Sequence, residues 1–549
     1  MKRSPLRALC RPSVIFAVSI SVASACRTPN AQRSGAVKDD APTETPVAAL
    51  PSDADADRIY DSVRSVLAVK HAAAQAQTWE LTTGALEGEW LMQSPDASVW
   101  GAASAALPYG TPCTGGGDCD NDFRLNRCTD AAECADGDTC KTVAASVKKP
   151  GDQPVKLCVG SGDFIYDRIY NLIIKAQKSV DIVSLSPPDG RYKAAMVNAL
   201  VYLDHAGVKP DVRLLFGGED STKPTLHGPK KYLGDWMKDL TARKSDFGLT
   251  VSCAWLSHLG SWNHTKIITV DGTDAIVGSM NFWEKVYLQP DPVFDMSLYV
   301  TGPAALAATR FADTLWNAKP ISIGTLPAGK APLMNHAVAG DAATLPPAGA
   351  AKIIGVGRLG GFGNNAADDA ISALFASAKT SIKISQQDLY RLLSNSGPFG
   401  NDALIDAVLR GVDVQVIKSS VVSKMGYGMY STADTFDYLA RAVEKKAKKY
   451  AKKIPKGSYQ RTVCEKLHFA PLRYSAANPP DGQVKSHTKL IMIDDAAFYV
   501  GSQNLYEANL QEYGYIIFDK ALAATMIATY WDPAWKHSSE SMIPCNPVD

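Results

Sequence analysis

The chain has 549 residues, 57 lysines and arginines against 56 aspartates and glutamates, and 46% hydrophobic residues. This length exceeds one ordinary hydrophobic core and fits two domains or one two-lobed body. The net charge of +1 disfavours a protein whose whole surface binds nucleic acid. The composition is typical of a globular protein, and after residue 25 the sequence has no apolar run long enough to span a bilayer.

The first 26 residues have the features of an export signal. Four cationic side chains precede the apolar stretch Val14–Ala23, and Ala23-Ser24-Ala25 fits the small-x-small rule for signal peptidase. Cys26 follows directly, so plain secretion and lipidation of this cysteine both remain open. Removing residues 1–25 removes four positive charges and no acid, which changes the formal charge from +1 to −3. We therefore expect an exported bacterial protein, either secreted or an outer-surface lipoprotein.

Six cysteines crowd into a segment that has little hydrophobic content. Such a segment cannot bury enough apolar surface to fold unaided, so three disulfides are expected, with the pairing left open. Zinc binding is the weaker alternative because the segment has neither a CxxC pair nor a histidine. The six residues are Cys113, Cys119, Cys128, Cys134, Cys140 and Cys158.

The body of the chain contains an internal repeat. Ala176–Ile182 resembles Ala378–Ile384 at an offset of 202 residues, and Val212–Leu215 aligns with Val414–Ile417 at the same offset. Each copy predicts a helix, a short strand, a second helix and a second strand, in a largely buried sheet. The helices are expected at Ile169–Ala176 and Ile371–Ala378, and the strands at Val180–Leu185 and Ser381–Ile384. This pattern predicts an α/β fold of two similar α-β-α halves, related by a pseudo-twofold axis, with the chemistry at their seam.

One motif occurs once in each copy. His-Thr-Lys is followed by four residues, an aspartate, six residues, and Gly-Ser-x-Asn. The first occurrence contains His264, Lys266, Asp271, Ser279 and Asn281, and the second contains His487, Lys489, Asp494, Ser502 and Asn504.

The spacing of this motif indicates an anion site. In a strand, residues two apart point to the same face, so each histidine shares a face with its lysine. Two lysines, two serines and two asparagines supply cations and neutral donors for a phosphate, without a metal. Two imidazoles can act as nucleophile and as general acid. Buried core histidines would explain one such motif, but not two.

The motifs are identified as the HKD signature of the phospholipase D superfamily. Further stretches resemble the secreted phospholipases D of actinomycetes, and the resemblance runs from about Trp79 to the C-terminus, apart from the cysteine-rich insert. These stretches are Ser261–His264, Asp295, Thr301–Ala305, Asp313–Trp316, Ile384–Leu389, Phe498–Tyr506, Leu510–Ile516 and Asp532–Lys536.

The resemblance implies the phospholipase D fold and a two-step mechanism without a cofactor. His264 is then the nucleophile that forms a phosphohistidine, and His487 is the general acid and base. The phosphoryl oxygens are held by Lys266, Lys489, Asn281 and Asn504, with help from Ser279 and Ser502.

The resemblance also implies an orienting acid for each histidine, across the seam. Glu512, where the family has Asp, is expected to contact His264, and Asp295 is expected to contact His487. Asp271 and Asp494 are interpreted as structural supports.

The family cysteines further imply a disulfide between Cys464 and Cys545. That pairing leaves Cys253 as a free thiol.

Several aromatic and basic residues are candidates for contact with lipid. Met425, Tyr427 and Tyr430 lie in an apolar segment of the second copy that is expected at an interface or pocket rim. Trp283 and Tyr287 are candidates for a choline pocket, with core packing as the alternative. The lysines between 445 and 456 are either a membrane-facing helix or, more simply, a solvated helix face.

The expected organisation has seven parts. They are a signal peptide (1–25), a tether (26–57), the N-terminal part of the catalytic body (58–112), the cysteine-rich insert (113–158), the first half (159–325), a linker (326–351) and the second half (352–549).

The leading interpretation is a monomeric, secreted phospholipase D. It is expected to cleave glycerophospholipids, phosphatidylcholine above all, at a membrane or micelle surface and to exchange headgroups. An alternative is another HKD phosphodiesterase such as a nuclease, which the charge of −3 disfavours. A binding protein with an inactive site is disfavoured by the complete pairs of histidine, lysine and asparagine.

Overall fold

A computed structural model describes residues 53–101, 122–134, 138–160, 162, 164–217, 229–258, 260–288, 292–318, 320, 322–327, 330–337, 350–390, 401–419, 431–449, 458–476, 484–506 and 508–545. Its framework is a pair of eight-stranded mixed sheets. The first sheet contains, in spatial order, Ser322–Leu326, Thr250–Trp255, Asp211–Phe216, Ser179–Ser184, Ile267–Val270, Asp274–Gly278, Asp295–Thr301 and Leu91–Ser94. The second contains Leu467–Pro471, Asp413–Lys418, Ser381–Gln386, Lys489–Ile493, Ala497–Gly501, Glu512–Phe518, Ala351–Arg358 and Trp79–Gly84.

The two sheets share the order and the direction of seven strands. Among these seven strands, two parallel strand pairs are followed by four antiparallel pairs in both sheets. Ser179–Ser184 and Ser381–Gln386 occupy equivalent places, in agreement with the 202-residue repeat. The predicted mixed α/β class is confirmed, and the pseudo-twofold axis itself stays a prediction.

Helices cover the outer face of each sheet and also pack between the sheets. One apolar cluster joins each sheet to its outer helices, and a third cluster lies between the two sheets, where Pro303–Asn317 contributes Phe311 and Trp316. None of the helices in the described part of the chain has both the length and the apolar character needed to cross a membrane. The helices are Ala54–Lys70, Phe164–Ile173, Gly190–His205, Pro229–Arg243, Glu284–Tyr287, Pro303–Asn317, Ala366–Ser377, Asn401–Leu409, Thr432–Lys449, Ser458–Lys466, Lys520–Met526 and Asp532–Ser538, with a π-helical turn at Ile527–Trp531.

The N-terminal segment contributes to both halves. Its helix begins at Ala54, before the expected boundary at 58, because the Asp53 carboxylate caps the first turn by accepting from two backbone N–H groups. The helix packs on the second half. The two strands that follow join different sheets, Trp79–Gly84 the second and Leu91–Ser94 the first.

The described part of the insert is a disulfide-linked hairpin that packs on the first half. Strands Thr139–Val143 and Val155–Val159 pair antiparallel, and disulfides join Cys128 to Cys140 and Cys134 to Cys158. Phe123 is buried against the ring of Tyr166, 5.3 Å between centroids. The hairpin therefore shares the core of the first half. Cys113 and Cys119 lie outside the described residues, as do residues 1–25 and Cys26.

The expectations for Cys464, Cys545 and Cys253 are confirmed. Cys464 and Cys545 form a disulfide across 81 residues of sequence. Cys253 is a free, buried thiol in the strand Thr250–Trp255, and burial raises its pKa.

Residues 330–337 of the linker are held on the first half by a buried network of charged side chains. His336 contacts Asp181 through Nδ1 at 2.9 Å and Asp211 through Nε2 at 3.1 Å. Arg213 donates to Asp181 at 2.7 Å and to the carbonyl of Met334 at 2.8 Å. Burial disfavours the charged imidazole, but the neighbouring carboxylates outweigh this effect and raise the pKa of His336 to about 9.

Candidate active site

Each motif histidine lies in an extended segment that enters a central strand. The strands begin at Ile267 and Lys489, just after the histidines, and the returning strands end at Gly278 and Gly501. The motif turns between them require positive φ at Asp271 (54°) and Asp494 (51°). Both motifs are therefore β-hairpins whose open ends carry the polar residues.

The two halves exchange backbone hydrogen bonds at the site. The N–H of His264 donates to the carbonyl of Gln511 at 2.9 Å, and the N–H of His487 donates to the carbonyl of Phe294 at 2.8 Å. Gln511 and Phe294 directly precede Glu512 and Asp295. Each histidine is thereby brought beside the acid of the opposite half.

The expected contacts across the seam are present. Nδ1 of His264 lies 3.0 Å from Oε2 of Glu512, and Nδ1 of His487 lies 2.9 Å from Oδ2 of Asp295. The ring centroids of the two histidines are 6.1 Å apart. An acid at Nδ1 fixes the tautomer that presents Nε2 for nucleophilic or proton-transfer chemistry.

The two lysines are buried without an ion-pair partner among the described residues. Lys266 is 1% exposed and Lys489 is 0% exposed. Their Nζ groups donate to the carbonyls of the histidines two residues before them, and Lys489 also donates to Oε1 of Gln387 at 3.1 Å. Burial lowers the pKa of Lys266 to about 7 and that of Lys489 well below its usual value. The site therefore favours an anion that would restore both charges.

The same environment acts on the histidines. Burial and the nearby lysines lower the pKa of His264 to about 4 and that of His487 to about 3, against the opposing effect of the two acids. Both rings are then neutral at neutral pH without a ligand. A neutral imidazole is the form that a nucleophile needs.

The two asparagines face the site with unused acceptor atoms. Oδ1 of Asn281 and of Asn504 is buried without a hydrogen-bond partner in the described part of the chain. Nδ2 of Asn504 donates to the Tyr506 hydroxyl at 2.9 Å. Buried polar atoms of this kind are rare unless a ligand or water completes them.

The serine hydroxyls are directed differently from the expectation. Ser279 donates to the Asp295 carboxylate, and Ser502 donates to Oε2 of Glu512 at 2.5 Å. A hydroxyl has one proton, so these serines hold the acids and have no proton left for a phosphate oxygen. Their contact with phosphate stays a prediction.

Tyr287 also contacts an acid instead of lining a choline pocket. Its side chain is buried, and its hydroxyl donates to Oδ2 of Asp295 at 2.7 Å. Asp295 additionally accepts from its neighbour's backbone N–H at 2.9 Å, and these contacts together with His487 hold its pKa below the usual value despite burial. Trp283 is partly exposed at the start of the same short helix.

Asp271 and Asp494 lie in the turns of the motif hairpins. The carboxylate of Asp271 accepts from the N–H groups of residues 177–179, and that of Asp494 accepts from the N–H groups of residues 379–381. Arg58 of the N-terminal helix also donates to Asp494 at 2.6 Å. Both aspartates thus hold the turn before a central strand, as structural supports.

The remaining expected contact residues divide into two groups. Met425, Tyr427 and Tyr430 lie outside the described residues, and so do lysines 452, 453 and 456. Helix Thr432–Lys449 carries the other lysines. Lys446 pairs with Asp406 at 2.7 Å and Lys448 pairs with Glu444, as expected of a solvated helix face.

Four polar residues near the site lie outside both motifs. Gln386, Gln387 and Asp388 follow the strand predicted at Ser381–Ile384, and Lys418 ends the neighbouring strand. Lys418 and Asp388 form a buried ion pair at 3.1 Å. Their place at the carboxyl ends of two predicted strands was the available signal in the sequence.

Comparisons with known proteins agree with this geometry. Residues 169–307 and 371–532 match the family model described as cardiolipin synthase, PLD-like domain. The chain is 30% identical over 435 residues to a phospholipase D of Streptomyces antibioticus, covering 69% of this chain and 77% of that protein.

Solved structures with lower similarity are also found. Phosphatidylserine synthase of Haemophilus influenzae Rd KW20 is 15% identical, with 68% of this chain and 84% of that chain covered and a TM-score of 0.44. Nuc of Salmonella typhimurium, a phospholipase D family member, is 20% identical, with 30% and 85% covered and a TM-score of 0.20. From the family model and the Streptomyces relative, the chain belongs to the phospholipase D superfamily and is a phosphodiesterase.

Proposed function

We propose that the protein is an exported phospholipase D that hydrolyses glycerophospholipids to phosphatidic acid and a free headgroup, with phosphatidylcholine as the expected substrate. One observation carries the proposal. Two histidine–acid pairs lie with their rings 6.1 Å apart, beside two buried lysines that lack a counter-ion among the described residues. This set can hold one phosphodiester between two imidazoles.

The first step forms a covalent intermediate. Nε2 of His264 attacks phosphorus, so a P–N bond forms while the P–O bond to the headgroup breaks. His487, protonated when the phosphodiester is bound, gives its proton to the leaving alcohol oxygen. Glu512 accepts the Nδ1 hydrogen of His264 and stabilises the positive charge that develops on this ring.

The second step returns the enzyme to its starting state. His487 takes a proton from water, the oxygen of that water attacks phosphorus, and the P–N bond breaks. An alcohol in place of water gives a new phosphodiester by the same electron movements, which is headgroup exchange. Asp295 holds His487 in one orientation in both steps.

The buried cations stabilise the charge that moves during both steps. A phosphate oxygen beside Lys266 and Lys489 favours their protonated forms and raises their lowered pKa values. Asn281 and Asn504 hold the phosphoryl oxygens through their amide N–H groups once the carboxamides turn toward the ligand. Hydrogen-bond donors and cations aimed at the developing charge in a buried site are a main source of such stabilisation.

We further propose that the protein acts as a monomer on a lipid surface after export. Disulfides in the described chain support an oxidising compartment. Signal cleavage after Ala25 and lipidation at Cys26 belong to this proposal, and mass spectrometry of the mature N-terminus distinguishes them.

The decisive experiment is phosphatidyl transfer. Incubation with phosphatidylcholine and ethanol is expected to yield phosphatidylethanol and choline, and His264→Ala is expected to abolish both products. Lys209→Gln, which removes a surface lysine paired with Asp204 at the far end of the first sheet, serves as a matched control. Cleavage of a fluorogenic DNA with no release of choline would overturn the proposal in favour of a nuclease.

A further inference from the structure

The two residues that lie beside Lys489 on the neighbouring strands of the second sheet are polar. In the second sheet, Lys489 pairs with Gln386, Gln386 pairs with Lys418, and Lys418 pairs with Pro471. Directly paired residues point to the same face of a sheet. Gln386 and Lys418 therefore lie on the face that carries Lys489.

The corresponding residues of the first sheet are a serine followed by two aromatic residues. Ile267 pairs with Val183 in antiparallel register. Lys266, one residue before Ile267, therefore lies opposite Ser184, one residue after Val183. Ser184 pairs with Phe216, and Phe216 pairs with Trp255. Phe216 and Trp255 pack edge to face, with ring centroids 5.7 Å apart. The row of paired residues beside Lys266, termed the aromatic side, is thus aromatic, whereas the row beside Lys489, termed the charged side, carries a lysine.

Gln386 is the first indication that the charged side holds a ligand. Its side chain is 0% exposed, and neither Oε1 nor Nε2 has a hydrogen-bond partner among the residues that the structure describes. Leaving both polar atoms of a buried carboxamide unpaired is costly. A polar ligand beside Lys489 would supply both bonds.

The ion pair beside Gln386 is the second indication. Lys418 is 0% exposed and Asp388 is 2% exposed, with Nζ and Oδ1 3.1 Å apart. They are as buried as the catalytic histidines and lysines. Replacing a buried ion pair by apolar residues of similar size is often neutral or stabilising, so the pair need not be there for stability.

The proposed mechanism assigns the two sides to the two ends of the substrate. The phosphatidyl group stays on His264 of the first half, whereas the headgroup leaves with a proton from His487 of the second half. The aromatic side then suits the diacylglycerol part. The charged side suits the headgroup.

We propose that Gln386, Asp388 and Lys418 form a headgroup subsite that selects a zwitterionic amino-acid alcohol, of the type of serine. The ammonium of this headgroup binds Asp388, and its carboxylate binds Lys418. The carboxamide of Gln386 donates to the carboxylate and accepts from the ammonium or hydroxyl. An ion pair is best complemented by a ligand with the opposite arrangement of charges, which neither glycerol nor choline provides.

This inference rests on the proposed lipid hydrolysis, and the experiment separates the two. The double variant Lys418→Gln/Asp388→Asn removes both charges of this ion pair together. We expect its kcat/KM for phosphatidylserine to fall more than about tenfold, with phosphatidylcholine changed less than about threefold, since a site built for polar groups discriminates strongly by them. Lys209→Gln is the control and is expected to match the wild type on both lipids. Equal losses on both lipids, or no loss on phosphatidylserine, would overturn the subsite.

A test on the unaltered protein applies if the double variant does not fold. Wild-type protein is given phosphatidylcholine with serine and glycerol at equal concentrations, and phosphatidylserine is expected to exceed phosphatidylglycerol by about tenfold or more. Equal amounts of the two products refute the subsite while leaving phospholipase activity intact. Failure to cleave phosphatidylcholine and phosphatidylserine refutes the proposed function itself.

Discussion

Substitution of Tyr287 by phenylalanine tests how the protein distinguishes its two histidines. Asp295 accepts from Ser279, Tyr287 and a backbone N–H in addition to its contact with His487. In the part of the chain that the structure describes, the Glu512 carboxylate accepts from Ser502 and contacts His264. Tyr287→Phe removes one 2.7 Å bond to a buried carboxylate and leaves the ring in place.

The expected magnitude follows from the charge on Asp295. A hydrogen bond to a charged group contributes about 1.5–3 kcal/mol. Without it, the carboxylate becomes more basic and holds the Nδ1 hydrogen of His487 more strongly. The pKa of His487, about 3 without a ligand, is then raised. If half of the lost energy reaches the imidazole, the shift is about 0.5–1 pKa unit, because one unit corresponds to about 1.4 kcal/mol.

The assay is the pH dependence of phosphatidylcholine hydrolysis. We expect kcat to fall about tenfold and the limb of the profile that depends on His487 to move to higher pH. Tyr299→Phe is the matched control, because Tyr299 lies in the same strand as Asp295 and its hydroxyl also donates to a carboxylate, that of Asp274, away from the site. A Tyr287→Phe profile that superimposes on those of the wild type and the control would refute the reasoning.

Other predictions test the second acid, the long-range disulfide and the linker. Glu512→Gln keeps the size of the side chain but removes the charge that stabilises the nucleophilic imidazole, so headgroup release is expected to slow at least about a hundredfold; a normal rate would remove Glu512 from the mechanism. The double substitution Cys464→Ser/Cys545→Ser opens an 81-residue loop and is expected to lower the free energy of unfolding in urea by about 4 kcal/mol, with hydrolysis below the melting temperature retained. His336 has a pKa raised to about 9 in the folded protein. The stability that its charge contributes is therefore complete below pH 6.5 and is lost as the pH rises toward 9, by at most about 3 kcal/mol. His336→Gln should flatten the urea stability between these pH values, and an unchanged slope would contradict the assignment.

Much of the fold was predictable because the same pattern of helices and strands occurs twice in the sequence. The 202-residue repeat locates two buried strands. The structure has the first at Ser179–Ser184, shifted one residue toward the N-terminus, and the second at Ser381–Gln386, two residues longer than predicted. The helix expected at Ile169–Ala176 begins earlier, at Phe164, since Ile165 and Tyr166 continue its buried face. The placement of residues 79–94 was not predictable, because which sheet edge a strand joins depends on contacts distant in sequence.

The site shows the same division. The paired motifs identified the histidines, lysines and asparagines, and the family resemblance implied the acids at 295 and 512. The structure brings the histidines and the acids together. The orientation of the serine hydroxyls and of Tyr287 depends on local hydrogen-bond competition inside the folded chain. Spacing along a strand gives the face of a side chain, but not which of several nearby acceptors its proton reaches.

The exchange of acids across the seam has a consequence for how the two halves can change over time. Each half supplies the histidine of one pair and the acid of the other. A half that lost its acid would disable its neighbour's histidine while its own histidine stayed correctly held. Both acids are then under selection in a single polypeptide, although the proposed mechanism modifies only one imidazole covalently. After a gene duplication, two such halves must be inherited together. Neither half can evolve a separate function without abolishing the activity of both.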